Sequence, residues 1–272
     1  VGKPNMIVIM CDDLGYADVG FNGCKDIPTP NIDSIAKNGV RCSNGYVPYA
    51  VCGPSRAGFI TARYPQRFGF ERNPQYQPYD PNMGLTREEK TIAELLKPSG
   101  YHSGIIGKWH LGAHIPTGHP MKRGFDEFYG HLGGGHVYFP EKLTIQRSQD
   151  AEGEAESYRT WLMKNYEPVP PRKYITDDFS DEAVSFVDRN RDWPFFLFLS
   201  YNAPHTPLQA SDKYLKRFSK IRDLRRRTYA AMVSAVDDGV GRVLEEVRRH
   251  NLEESTICLL YTSPSPRDNK AS

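Results

Sequence analysis

Two unbroken apolar runs, Met6-Ile7-Val8-Ile9-Met10 and Phe195-Phe196-Leu197-Phe198-Leu199, constrain the fold of this chain more than any other feature. Neither alternates polar with apolar, so both read as strands covered on two faces, the mark of a parallel sheet between helices. The stretches between them agree. Residues 177–190 place Phe179, Ala183, Phe186 and Val187 at helical spacing, and 224–251 align Tyr229, Met232, Val236, Val240, Val243 and Val247 along one face. A third strand is expected over His102 to Ile106, and Thr29-Pro30-Asn31 reads as a helix start. The fold class is therefore α/β, a mainly parallel central sheet flanked by helices. Open sheets of this kind take their ligands beyond the carboxyl ends of the strands, so the residues that follow each run carry the candidate chemistry.

The first run ends in Cys11-Asp12-Asp13. Adjacent aspartates often cap turns. Beside a buried strand they also need a counter-charge, which a hard divalent cation on oxygen ligands supplies. The strand at 102–106 leads into Gly107-Lys108-Trp109-His110-Leu111, where extended residues two apart face the same way, so Lys108 and His110 form a small cationic pocket. Singly, such a lysine is usually solvated and such a histidine structural. The second run delivers Pro204-His205-Thr206-Pro207, a histidine held between two prolines in a fixed aim. Val51-Cys52-Gly53-Pro54-Ser55-Arg56 reads as a turn opening a helix, with Ser55 as cap. Cys52 then lies where helix N–H groups favour anions, and Arg56 adds a planar donor fork. A free cysteine in such a place is more often a packed small hydrophobe than a catalyst.

Cys52, Pro54 and Arg56 form a Cys-x-Pro-x-Arg pattern that resembles the signature of type I sulfatases. Gly-Lys-Trp-His-Leu at 107–111 is similar to the second signature of that family, and Pro-His-x-Pro at 204–207 resembles its sulfate-binding position. The resemblance covers roughly Pro4 to Ile257 and implies the alkaline-phosphatase-like fold. It further implies that a formylglycine-generating or sulfatase-maturating enzyme oxidises Cys52 to formylglycine, whose gem-diol attacks sulfur with help from calcium (Ca2+). Carried over residue by residue, Asp12, Asp13 and Cys52 hold the metal, Arg56 positions the diol, Lys108 and His205 clamp sulfate, and His110 takes the diol proton. Gln66-Arg67-Phe68-Gly69 looks like the continuation found in sulfatases of sulfated polysaccharides, so a carbohydrate sulfate ester is the expected substrate. Two alternatives stand beside this one: a phosphatase or phosphodiesterase of the same superfamily, against which Cys52 weighs, and a non-catalytic sulfated-glycan-binding fragment.

Composition narrows the field further. With 35 basic against 33 acidic residues the net charge is +2, which points to no nucleic-acid partner, so affinity for an anion must be local. Five cysteines without CxxC spacing suggest neither structural zinc nor a disulfide framework. No run approaches the roughly 18 apolar residues of a transmembrane segment. The family resemblance implies export to the periplasm or outside the cell, with the signal peptide absent from this sequence. Residues 65–81 read as a long loop in which Phe70-Glu71-Arg72-Asn73 either line a cleft or pack locally. Thr86-Arg87-Glu88-Glu89 reads as a capping box, 148–157 as an exposed loop, His136 as a loop histidine, and Asp237 and Asp238 as solvated or capping. The glycines at 133–135 lack the strand-to-helix setting of a nucleotide site. From Cys258 onward the string looks like a translated sequencing adapter. The expected organisation is therefore an incomplete catalytic domain over 1–257 and a non-native tail over 258–272, with late metal ligands missing and Asp268-Asn269 left unassigned.

Overall fold

The computed structural model describes residues 2–263. Its centre is a seven-stranded sheet built from β1 (Asn5–Asp12), β2 (His102–Lys108), β3 (Glu127–His131), β4 (Leu162–Lys164), β5 (Glu167–Val169), β6 (Phe195–Pro204) and β7 (Thr256–Ser263), in the spatial order β5-β4-β3-β2-β6-β1-β7. The five strands from β3 to β7 in that order run parallel, and β4 and β5 add an antiparallel edge. Both apolar runs lie at the heart of the parallel part, paired in register from Met6 with Phe196 to Cys11 with Tyr201.

The runs lack alternation because helices cover both sheet faces. Ile7 and Ile9 of β1 and Leu197 and Leu199 of β6 pack with Phe179 and Phe186 of α6 (Ile175–Asn190) and Val233 and Val236 of α8 (Leu224–Arg249). Val8, Met10, Phe196 and Phe198 face the other way, onto Ala57 and Ile60 of α2 (Cys52–Thr61) and Ala93 of α3 (Ile92–Leu96). Helix α1 (Pro30–Asn38) opens with proline at its first turn and lies against α8, whose Asp237 caps it by accepting from the N–H groups of Asn31 and Ile32. Single-turn helices α4 (Ile115–Gly118), α5 (Glu154–Ser157) and α7 (Asp212–Leu215) punctuate the connections.

Three readings need correction. Thr86 does not start a helix: the capping box is Thr91 with Glu94, at the head of α3. The Thr86 segment is instead spent on Arg123, whose guanidinium takes the carbonyls of Leu85, Thr86 and Glu89. Residues 148–157 are not simply exposed, since Ser148, Ala151 and Ser157 are buried. The strand expected at Thr256 runs on through Ser263, pairing with β1 along its whole length, so residues 258–263 belong to the sheet. Cys258 and Leu260 pack on one face and Tyr261 on the other, which a Leu-Leu-Tyr-Thr string of high strand propensity allows. Residues 264–272, including Asp268 and Asn269, lie outside the described residues.

Where β6, β2 and β3 run side by side, two glycines are indispensable. A Cβ on Gly107, whose φ is +111°, would stand 1.9 Å from the Ser200 carbonyl oxygen, and one on Gly130 would stand 1.9 Å from the Gly107 carbonyl oxygen.

Candidate active site

The carboxyl ends of β1, β2 and β6 meet the start of α2, and one carboxylate organises the junction. Asp12 closes β1, is wholly buried, and receives Lys108 Nζ at 2.5 Å and Arg56 Nη2 at 2.8 Å on the same oxygen, Oδ2. Burial alone would favour the protonated acid, but Lys108, Arg56 and His205 together hold the Asp12 carboxyl far below the usual carboxylate range. Asp13 follows at a φ of +61°, a left-handed conformation that aspartate tolerates better than most residues and that turns the chain out of the strand.

Cys52 is the first residue of α2, entered from an extended Val51. Ser55 does not cap the helix: no side chain does so from the N-cap position, and the Gly53 N–H is taken by Asn73 Oδ1 at 2.8 Å. The Cys52 thiol faces Asp12 Oδ1 at 3.6 Å. Burial pushes it up to about 11, against the pull of Lys108, so it stays protonated at neutral pH and is a poor nucleophile as a thiol. One turn on, Arg56 is only 1% exposed, and its other terminal nitrogen donates to the Lys108 carbonyl at 3.0 Å and to Ser200 Oγ at 2.5 Å. Ser200 Oγ donates in turn to the Lys108 carbonyl at 2.7 Å.

The two histidines come from different directions. His205, just past β6, places Nδ1 2.6 Å from the Thr206 carbonyl, so that nitrogen carries the proton and Nε2 faces Asp13 Oδ2 at 3.7 Å. Burial, with help from Lys108, brings His205 down to about 4. His110 stands beyond β2 at a φ of +58°, its amide donating to the Leu132 carbonyl, and burial depresses its basicity well below the ordinary value. A Cβ on Gly134 would lie 2.8 Å from His110 Nε2 and 2.4 Å from Glu154 Oε1, so only glycine fits beside both groups.

The structure thus brings Asp12, Asp13, Cys52, Arg56, Lys108, His110 and His205 to one place. Ligand atoms of Asp12, Asp13, Cys52 and His205 all fall within 4.8 Å of one another, and the two carboxylates give the hard oxygen donors that suit a divalent cation. The residues present therefore fit a metal. Sequence reasoning missed Ser200, Gly134 and Glu154, and offered Asn73 only within a segment that either lines a cleft or packs locally. Ser200 had one signal, being the first polar residue after an apolar run, whereas the others act through contacts between distant loops. His136, read as a loop histidine, is buried, with ring nitrogens 2.8 Å from the carbonyls of Val137 and Thr160.

The sulfatase family model matches residues 4–263. This chain belongs to the sulfatase family. It is 34% identical over 274 residues to human N-acetylgalactosamine-6-sulfatase, covering 96% of this chain and 49% of that protein. The uncharacterized sulfatase YdeN of Escherichia coli K12 is 33% identical over 314 residues, covering 96% and 52%. Among solved structures, Ps i-CgsB in complex with k-i-k-neocarrahexaose superposes with a TM-score of 0.89 at 47% identity, covering 96% of this chain and 58% of that one. The fold is the alkaline-phosphatase-like fold of sulfatases, and this sulfatase chain spans about half the length of the curated relatives it matches.

Proposed function

We propose that this chain carries the catalytic half-site of a sulfatase that hydrolyses a sulfate ester on a sulfated polysaccharide. The observation that carries the reading is the buried Asp12 carboxylate, bracketed by Lys108 and Arg56 and set against Cys52 at a helix start. The hexaose bound by Ps i-CgsB supports a glycan substrate. Calcium held by Asp12, Asp13 and residue 52, and formylglycine matured from Cys52, would supply Lewis acidity and a nucleophilic oxygen there.

The chain's own side chains do the remaining work. Lys108 is the ammonium donor for the sulfuryl oxygens, and a preorganised donor there stabilises charge that grows in the transition state, while His205, neutral with its Nδ1 proton on the Thr206 carbonyl, lines the same position through Nε2. Arg56 cannot swing away, because both terminal nitrogens are committed, so it fixes Asp12, whose other carboxylate oxygen faces residue 52. His110 is kept neutral by burial, which leaves one ring nitrogen able to accept a proton. Maturation requires a partner enzyme, and we place the working protein outside the cytoplasm.

Coexpression with a maturating enzyme, followed by mass spectrometry of the peptide ending at Arg56, tests the reading. The expected result is an aldehyde in place of the thiol, together with sulfate release from neocarrahexaose. An intact thiol and no sulfate release would sink it.

A further inference from the structure

A groove beside the site carries the opposite charge. An open cleft of about 850 Å3 lies between residues 76–81 and 149–153, and past Tyr79 and Gln149 it continues into a cavity of about 400 Å3 that reaches Arg147 and Tyr166. Both walls are anchored at the active site. The first departs from Asn73, which holds the Gly53 amide next to Cys52. The second leads into Glu154, whose Oε1 accepts from the Gly134 N–H beside His110. Tyr76 ties the walls together by donating to the Ser148 carbonyl at 2.8 Å.

The lining chemistry is distinctive. Asp80, Asp150 and Glu152 line the larger cleft, and no lysine or arginine does. Tyr79 presents a ring that is 75% exposed, with Gln77 and Gln149 nearby. Arg147, at the far end, is already paired with Asp150 at 2.7 Å. Where Arg56 and Lys108 favour an anion, this groove repels one.

We infer that the groove binds the unsulfated sugar residues that flank the reacting sulfate ester, an assignment that rests on the proposed function. A sugar ring has an apolar face and a rim of hydroxyls. Tyr79 offers a rigid amphipathic surface to the face, and carboxylates and amides accept from and donate to the rim. A sulfate placed here would meet the carboxylates of Asp80 and Glu152, with Asp150 offset by Arg147, so the groove selects by repulsion as well as attraction. Charge polarity then sets the direction in which the glycan lies: sulfate toward Asp12 and its cations, neutral sugar along Tyr79.

Calorimetric titration of the chain with chemically desulfated neocarrahexaose is the test. Binding is expected, weakened about tenfold by Tyr79→Ala and unaltered by Trp193→Ala, an exposed aromatic at the opposite ends of the strands. A double variant, Asp80→Asn with Glu152→Gln, should shift relative affinity toward the fully sulfated hexaose. Equal binding by wild type and Tyr79→Ala, absence of binding, or an unshifted preference in the double variant overturns the assignment. Failure of the sulfatase reading appears in a different measurement: an unmodified Cys52 and no sulfate release, with hexaose binding intact.

Discussion

Arg56 is the residue whose chemistry is least replaceable. Its guanidinium makes three contacts in fixed directions, to Asp12 Oδ2, the Lys108 carbonyl and Ser200 Oγ. A lysine has the charge but not the planar fork, so it can satisfy one of these and leaves buried acceptors unpaired. Arg56→Lys in the matured chain is expected to lower kcat/KM by about a hundredfold. Steady-state kinetics on a sulfate ester would check it, and near-wild-type turnover would show that charge alone suffices. The participants in this cluster were legible in sequence because Asp12, Asp13, Lys108, His110 and His205 sit at or just past the ends of strands, while Cys52 and Arg56 share a Cys-x-Pro-x-Arg motif at a helix start. Their support was not: the Asn73 to Gly53 bond and the Glu154 to Gly134 bond join loops whose sequences announce only turns.

At the scale of elements, a cap supplied from across the chain holds the helical layer together. Asp237, in the middle of α8, is 3% exposed and accepts at 2.8 Å from the Ile32 amide and at 2.9 Å from Asn31 Nδ2. It neutralises the start of α1 where no local side chain does so. Asp237→Ala is expected to cost about 2 kcal/mol, read as a lower urea midpoint with an unchanged slope. The sequence reading allowed capping at this position without naming what is capped, because the partner lies some two hundred residues away. Helix α3 teaches the complementary lesson. Thr86 to Glu89 and Thr91 to Glu94 carry the same Thr-x-x-Glu spacing, and only tertiary demand, the Arg123 guanidinium on the first segment's carbonyls, decides which becomes a helix. Strands were easier, since burial on both faces writes itself as an apolar run. The edge pair β4 and β5, three residues each, leaves no such mark.

Over the whole molecule, buried histidines set the response to acid. His119 is wholly buried between the rings of Phe128 and Tyr166, at centroid distances of 5.1 and 4.6 Å. Burial, with Lys122 adding to it, brings its pKa down to about 4 from 6.5. The folded value lies below the unfolded one, so the unfolded chain binds the proton first. The stabilisation is present in full above pH 6.5 and is lost as pH falls toward 4, a change of about 3 kcal/mol. His110, His131 and His136 are shifted in the same direction, again chiefly by burial. Urea midpoints at pH 7 and pH 5 should therefore fall with acid, and fall less in His119→Phe; equal losses in the two proteins would remove His119 from the account. The close approach at Gly107 and Gly130 has a different kind of consequence. Behind Lys108 and Ser200 there is no room for even a methyl group, so the back wall of the site is closed to variation. New specificities can then be inherited only through the loops in front, around Tyr79 and Glu154, where a changed side chain leaves the sheet undisturbed.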